Sequence, residues 1–207
     1  MVVNSEPTRI SAQSPSHPAR PLIVGPSSPS PPYPIRLRGK VCKGFGRGGK
    51  DLGCPTANLP DDNAGVQAMR GKVDTGVFYG FARVIPPTQL DPDDSDLNSS
   101  SNLDPNSSLS PLSPTSYLVY PMVMSLGLNP FYKNSDLTAE IHILHQFDND
   151  FYNFDIKVLV LGYIRPELDY VSREALVQDI DIDKIVARRC LEREAYTAFS
   201  RDRFFWE

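Results

Sequence analysis

Residues 44–58 read GFGRGGKDLGCPTAN and residues 137–152 read LTAEIHILHQFDNDFY; these two stretches hold the side chains best suited to chemistry. Closely spaced glycines let successive backbone N–H groups converge on an anion, and they let a loop flex over it. Arg47 and Lys50 add positive charge there. Gly44, Gly46 and Gly49 satisfy G-x-G-x-x-G, and Gly44 to Lys50 satisfies G-x-x-x-x-G-K. Asp51, however, stands where a P-loop needs Ser or Thr. Both motifs also need a helix immediately afterwards, whose N-terminus receives the phosphates. Gly53 and Pro55 prevent a helix from starting at Lys50, so both folds are rejected. A helix-free phosphate cradle survives, beside the plainer reading of a solvated loop.

The residues after the loop sharpen this. A Thr56 hydroxyl and an Asn58 amide oxygen, two apart on an extended segment, point to one face. Such hard oxygens suit Mg²⁺, which keeps several waters and also bridges phosphates. An ordinary Pro-Thr turn is the plainer reading of this segment taken alone. In the second stretch a strand would put Thr138, Glu140 and His142 on one face and Ala139, Ile141 and Ile143 on the other. A lone carboxylate such as Glu140 on a polar strand face is usually just solvated. His142 and His145 are three apart and fall on opposite strand faces, which argues against zinc.

The elements that must position these residues read mostly as strands. Ile35 to Lys43 alternates apolar and polar, and Gly76 to Val84, Tyr117 to Leu126, Thr138 to Leu144 and Phe154 to Tyr163 are aromatic and β-branched. Gly, Pro, Asn and Asp turns separate them, the pattern of an all-β sandwich or barrel. Only the end reads as helical. Ser172 can N-cap it, with Glu174 in the first turn. Leu176, Ile180, Ile185, Val186 and Leu191 then recur at helical spacing, through about Phe199. One helix, or two with a break near Asp181, both fit.

Composition sets the frame. The chain has 207 residues, enough for one domain plus tails. Its 20 prolines concentrate in two places. Residues 1–34 are Pro- and Ser-rich and are expected to be a disordered tail. Residues 86–116 carry no aromatic residue, no Lys and no Arg, and are expected to be a low-complexity insertion between two strands. A net charge of -4 disfavours nucleic acid and anionic membranes. No apolar run is long enough to span a bilayer, and Met1 to Ile10 hold no signal-peptide core. Three cysteines with no close pair argue against a disulfide framework. A cytoplasmic monomer is the expectation, with organellar association left open.

Five segments in order, GFGRGGKDLGCPTAN, TGVFYGFARV, SLGLNPFYKN, LTAEIHILHQFDNDFY and VLGYIRPE, resemble the riboflavin kinase family. The resemblance runs from residue 35 to about 190, apart from the insertion. It implies a mainly β fold: a six-stranded antiparallel Greek-key β-barrel with a C-terminal helical segment packed on it. The domain would cover 35–199, leaving 200–207 as a C-terminal tail. It implies transfer of the ATP γ-phosphate to the riboflavin 5′-hydroxyl, giving FMN and ADP. By the same resemblance Thr56 and Asn58 hold Mg²⁺, or Zn²⁺ or Mn²⁺ in its place. Gly44 and Lys50 belong to a loop over ATP, Ile143, His145 and Tyr152 line the nucleotide site, Glu140 is the catalytic carboxylate, and Arg165 contacts the flavin. Asn153 replaces a glycine common in the family; Asn tolerates the positive φ such a turn needs. The 34 residues before the first strand hold no H-x-G-H-like site, so FMN rather than FAD is the expected product. Two other readings stay open: a barrel that binds flavin or nucleic acid without chemistry, and a kinase for another vitamin-like alcohol.

Overall fold

The computed structural model describes residues 20–44, 53–87, 118–128 and 136–207. Most of the glycine-rich loop, Lys50 included, and nearly all of the 86–116 insertion lie outside the described residues. Six strands form one sheet: β1 (Ile35–Lys40), β2 (Ala57–Asn58), β3 (Gly76–Ile85), β4 (Tyr120–Leu128), β5 (Leu137–Ile143) and β6 (Asp155–Arg165). Their spatial order is β1-β6-β3-β4-β5-β2, and every paired neighbour is antiparallel. β3, β4 and β5 follow one another, and β6 returns beside β3, which is a Greek key. Past β1, the Cys42 N–H donates to the Asn58 carbonyl at 2.9 Å, so a single bridge joins the two edges of the curled sheet.

The period-2 expectation for β5 holds. Leu137, Ala139, Ile141 and Ile143 are buried, and Thr138, Glu140 and His142 are less so. β3 and β6 do not alternate this way, because both of their faces are covered. Phe78, Val158 and Val160 point into the barrel, where they pack with Met122, Met124 and Ile141. Tyr79, Phe81, Leu159 and Leu161 point outward, against the C-terminal helices. At Gly80 a Cβ would stand 2.0 Å from the Leu159 carbonyl oxygen, so only glycine allows β3 and β6 to approach this closely.

The helical end is one long helix, α2 (Arg173–Leu191), preceded by a single turn, α1 (Ala64–Gln67), between β2 and β3. The Ser172 hydroxyl accepts from the Ala175 N–H at 3.1 Å, as its cap position predicts. A short α3 (Glu194–Thr197) follows. The buried face of α2 differs from expectation. Ile185 is 42% exposed, while Asp179, Asp183, Val186, Ala187, Cys190 and Leu191 are buried. Two carboxylates occupy positions that periodicity assigns to apolar side chains. Among the described residues no helix is long and apolar enough to cross a membrane.

Both segments expected to be tails are partly built into the fold. Residues 20–34 lie against α2 and α3. Arg193 donates to the carbonyls of Val24, Gly25 and Pro26, and the Tyr196 hydroxyl also donates to Pro26 at 3.0 Å. Proline removes a donor but keeps its carbonyl, and carbonyls are what these side chains take up. Residues 1–19 lie outside the described residues. At the other end Phe205 is fully buried in a 3₁₀ turn capped by Asp202, and Arg36 pairs with Asp202 at 3.0 Å. The turn Asn153 has φ 66°, as its replacement of glycine requires.

Phe78 is fully buried and meets Tyr163 edge to face at 5.2 Å. Phe78→Ala is therefore expected to cost about 3–5 kcal/mol, measured by chemical denaturation.

Candidate active site

β2 is only two residues long, yet it sets the site. Its register pairs Asn58 with Glu140 on β5, and β4 pairs Ser125 with Glu140 on the other side. Directly opposed residues share a face, with Cβ atoms about 5 Å apart. Asn58, Glu140 and Ser125 thus form one row across three strands. Thr56 lies on the same side of its segment as Asn58, because Ala57 and Leu59 between and beyond them are buried.

A cleft of about 380 Å³ opens beside this row, lined by Cys42, Lys43, Gly44, Asn58, Leu59, Asp61, Asp62, Thr138, Ala139 and Glu140. The structure therefore brings together three residues singled out from the sequence: Gly44, Asn58 and Glu140. A Cβ on Gly44 would stand 2.4 Å from Asn58 Nδ2, so any larger residue there would have to displace the Asn58 side chain. Asn58 Nδ2 points toward the Thr56 carbonyl at 3.4 Å. Asp61 and Asp62 went unnoticed in sequence; an acidic pair after a proline carries no signal beyond that of a solvated turn.

The segment ahead of Asn58 is anchored from β5. His142 Nδ1 lies 2.8 Å from the Pro55 carbonyl oxygen. A carbonyl can only accept, so the hydrogen sits on Nδ1. Burial holds the ring below its usual range; the Pro55 bond opposes it, and the smaller effects of the Lys184 and Arg188 charges on α2 add to the lowering. Burial likewise pushes the Cys54 thiol up to about 11, which keeps it protonated and unsuited to nucleophilic work.

Other expected residues stand elsewhere. Ile143 is buried in the barrel core rather than lining the cleft. His145 stacks on Tyr120 at 4.1 Å and meets Phe147 edge to face, in an aromatic ladder that continues to Phe151. Tyr152 is exposed beyond that ladder. Arg165 is committed to Asp183, with Nε 3.1 Å from both carboxylate oxygens and Nη2 at 2.7 Å from Oδ2. The residue beside Glu140 that sequence reading missed is Glu167, two past Arg165. Ser125 Oγ lies 3.4 Å from its Oε1. Burial first, and then the negative charge of Glu140, raise the Glu167 carboxyl despite the Ser125 hydrogen bond.

Asn58 lines the cleft with the carboxylates of Asp61, Asp62 and Glu140, and Thr56 lies on the Asn58 side of its segment but is not part of the lining. Among the described residues there is no group of three or more His, Cys, Asp or Glu able to hold a metal ion. These residues fit a hard cation that arrives with phosphate oxygens of its own, rather than a cation caged by protein alone.

A small antiparallel barrel whose cleft gathers Gly44, the Asn58 amide and the carboxylates of Glu140, Asp61 and Asp62 has the equipment of a phosphoryl-transfer enzyme. Residues 31–191 match the flavokinase, or riboflavin kinase, family. A riboflavin kinase from Pyricularia oryzae is 48% identical over 179 residues, covering 86% of this chain and 82% of its own. One from Lodderomyces elongisporus is 40% identical over 190 residues, covering 88% and 98%. The crystal structure of riboflavin kinase from Trypanosoma brucei superposes with a TM-score of 0.57 at 29% identity, over 84% of this chain and 90% of that one. The chain belongs to the riboflavin kinase family.

The His142 environment has a measurable consequence. Its folded-state pKa is depressed below 6.5, so the unfolded chain binds that proton more readily. This contribution to stability is whole above about pH 6.5 and is lost as the pH falls from there through the folded-state value. An NMR titration is expected to place the His142 midpoint below 6.5; a higher midpoint would show that the Pro55 bond outweighs burial.

Proposed function

We propose that this chain transfers the γ-phosphoryl group of ATP to the 5′-hydroxyl of riboflavin, releasing FMN and ADP, with Glu140 as the base. The observation that carries the reading is the cross-strand pairing of Asn58 with Glu140 at the mouth of one cleft, in a chain of this family. Gly44, where the glycine-rich segment begins, lines the cleft with Glu140, which supports a nucleotide phosphate lying near that carboxylate. The riboflavin hydroxyl attacks the γ-phosphorus in line. Its proton passes to Glu140, the new O–P bond forms, and the bond to the β-phosphate oxygen breaks. Thr56 and Asn58 would hold Mg²⁺, which supplies neutralisation of charge on the nucleotide phosphates when bound.

The remaining assignments carry different support. Gly44 lines the cleft beside Asn58, which favours a role in covering the phosphates. The stack of His145 on Tyr120 offers a flat edge suited to an adenine, and Tyr152 lies beyond it; Ile143 supports this edge from the core rather than touching the nucleotide. Lys50, in the same loop, adds charge for the phosphates. Arg165 serves the flavin through donor hydrogens that Asp183 does not occupy.

The binding-only alternative is disfavoured because the row of Asn58, Glu140 and Ser125 has no purpose in a passive barrel. The test is product chromatography with riboflavin, ATP and Mg²⁺. Glu140→Gln is expected to lower FMN formation by about 100-fold or more while the variant remains folded. Equal FMN formation by both proteins would remove Glu140 as the base.

A further inference from the structure

We propose that Arg20, Asp179 and Asp183 form a clamp that positions the segment 165–170, so that the chain ahead of the barrel takes part in binding the acceptor alcohol. The proposal rests on the functional reading above, in which Arg165 serves the flavin. Asp179 and Asp183 lie one turn apart on the buried face of α2, at 4% and 2% exposure. Two carboxylates this close in a dry site need two positive charges. Arg165 gives Nε and Nη2 to Asp183 and Nη1 to the Pro166 carbonyl. Asp179 receives the Tyr170 hydroxyl at 2.8 Å, a neutral donor. The second charge comes from Arg20, which reaches Asp179 Oδ1 at 3.2 Å with one nitrogen and Asp183 Oδ1 with the other. Two guanidiniums then balance two carboxylates.

The consequence reaches the site. Segment 165–170 is pinned at three points: Arg165 to Asp183, Glu167 to Ser125 and Tyr170 to Asp179. Ser125 is the cross-strand partner of Glu140, so the segment is referenced to the base at one point and to α2 at the other two. Without Arg20, Asp179 competes with Asp183 for the Arg165 guanidinium, and Arg165 leaves its position. Arg20 lies ahead of residues 31–191, which match the family model, so the clamp ties the segment before that span to the barrel.

The test is steady-state kinetics with riboflavin and ATP varied separately. Arg20→Met is expected to raise the riboflavin KM about tenfold and to leave the ATP KM within about twofold. Adding Asp179→Asn to Arg20→Met removes the surplus carboxylate and is expected to return the riboflavin KM toward wild type. Rescue shows that the surplus buried charge is the cause; the rise confined to the riboflavin KM is what a purely structural contact would not give. Arg20→Lys keeps the charge but loses the fork that spans two carboxylates, and is expected to give a smaller rise of the same kind. It decides the matter if Arg20→Met does not fold. An unchanged riboflavin KM in a folded Arg20 variant, or a joint rise of both KM values with or without rescue, overturns the proposal. Absence of FMN from the wild-type protein would instead overturn the functional reading on which it rests.

Discussion

The two-residue pairing of β2 with β5 is the constraint on which the site depends. Asn58 takes part in it twice. Its carbonyl accepts from Cys42 across the seam, and its strand position opposes Glu140. Side chains in a strand alternate, so a slip of one residue would turn Asn58 into the core and bring Ala57 to the cleft. A two-residue strand holds register weakly by itself. The Leu59 N–H to Ala139 carbonyl bond at 3.3 Å fixes it on one side, and His142 on the Pro55 carbonyl fixes it on the other. Barrel closure and site assembly are thus the same event.

The rest of the molecule makes that seam rigid. β3 and β6 are central, with apolar side chains on both faces, so the barrel core and the helix interface stabilise each other through shared strands. α2 covers the outer face and carries charge as well as apolar surface. Its buried Asp179 and Asp183 cost desolvation, which the Tyr170 hydroxyl and the close guanidiniums of Arg20 and Arg165 offset. Burial pushes the Asp179 carboxyl up, and the Tyr170 hydroxyl with the Arg20 and Arg165 charges outweighs it and holds the group below its ordinary range.

The antiparallel barrel was legible because its strands either keep period two or run as aromatic and β-branched stretches, and its turns use Gly, Pro, Asn and Asp. β5 is the clearest case: its alternation alone assigns Glu140 to the polar face, opposite the core. Asn153 was legible for a similar local reason, since few side chains accept its φ. The face of α2 was not legible, because buried aspartates sit where an apolar period expects leucine or isoleucine. Nor was the role of residues 20–34. Their order comes from carbonyl oxygens received by Arg193 and Tyr196, and every residue has a carbonyl, so composition holds no trace of it. The commitment of Arg165 to Asp183 was hidden for the same reason as the helix face: its partner lies 18 residues away on another element.

The central claim is that this barrel moves a phosphoryl group to riboflavin, and ³¹P NMR of the wild-type protein with riboflavin, ATP and Mg²⁺ reads that transfer directly. The account predicts loss of the γ-phosphate signal with matching growth of ADP and of one new phosphomonoester resonance, that of FMN. Growth of inorganic phosphate without a flavin phosphomonoester, or an unchanged ATP spectrum from a folded protein, would contradict it.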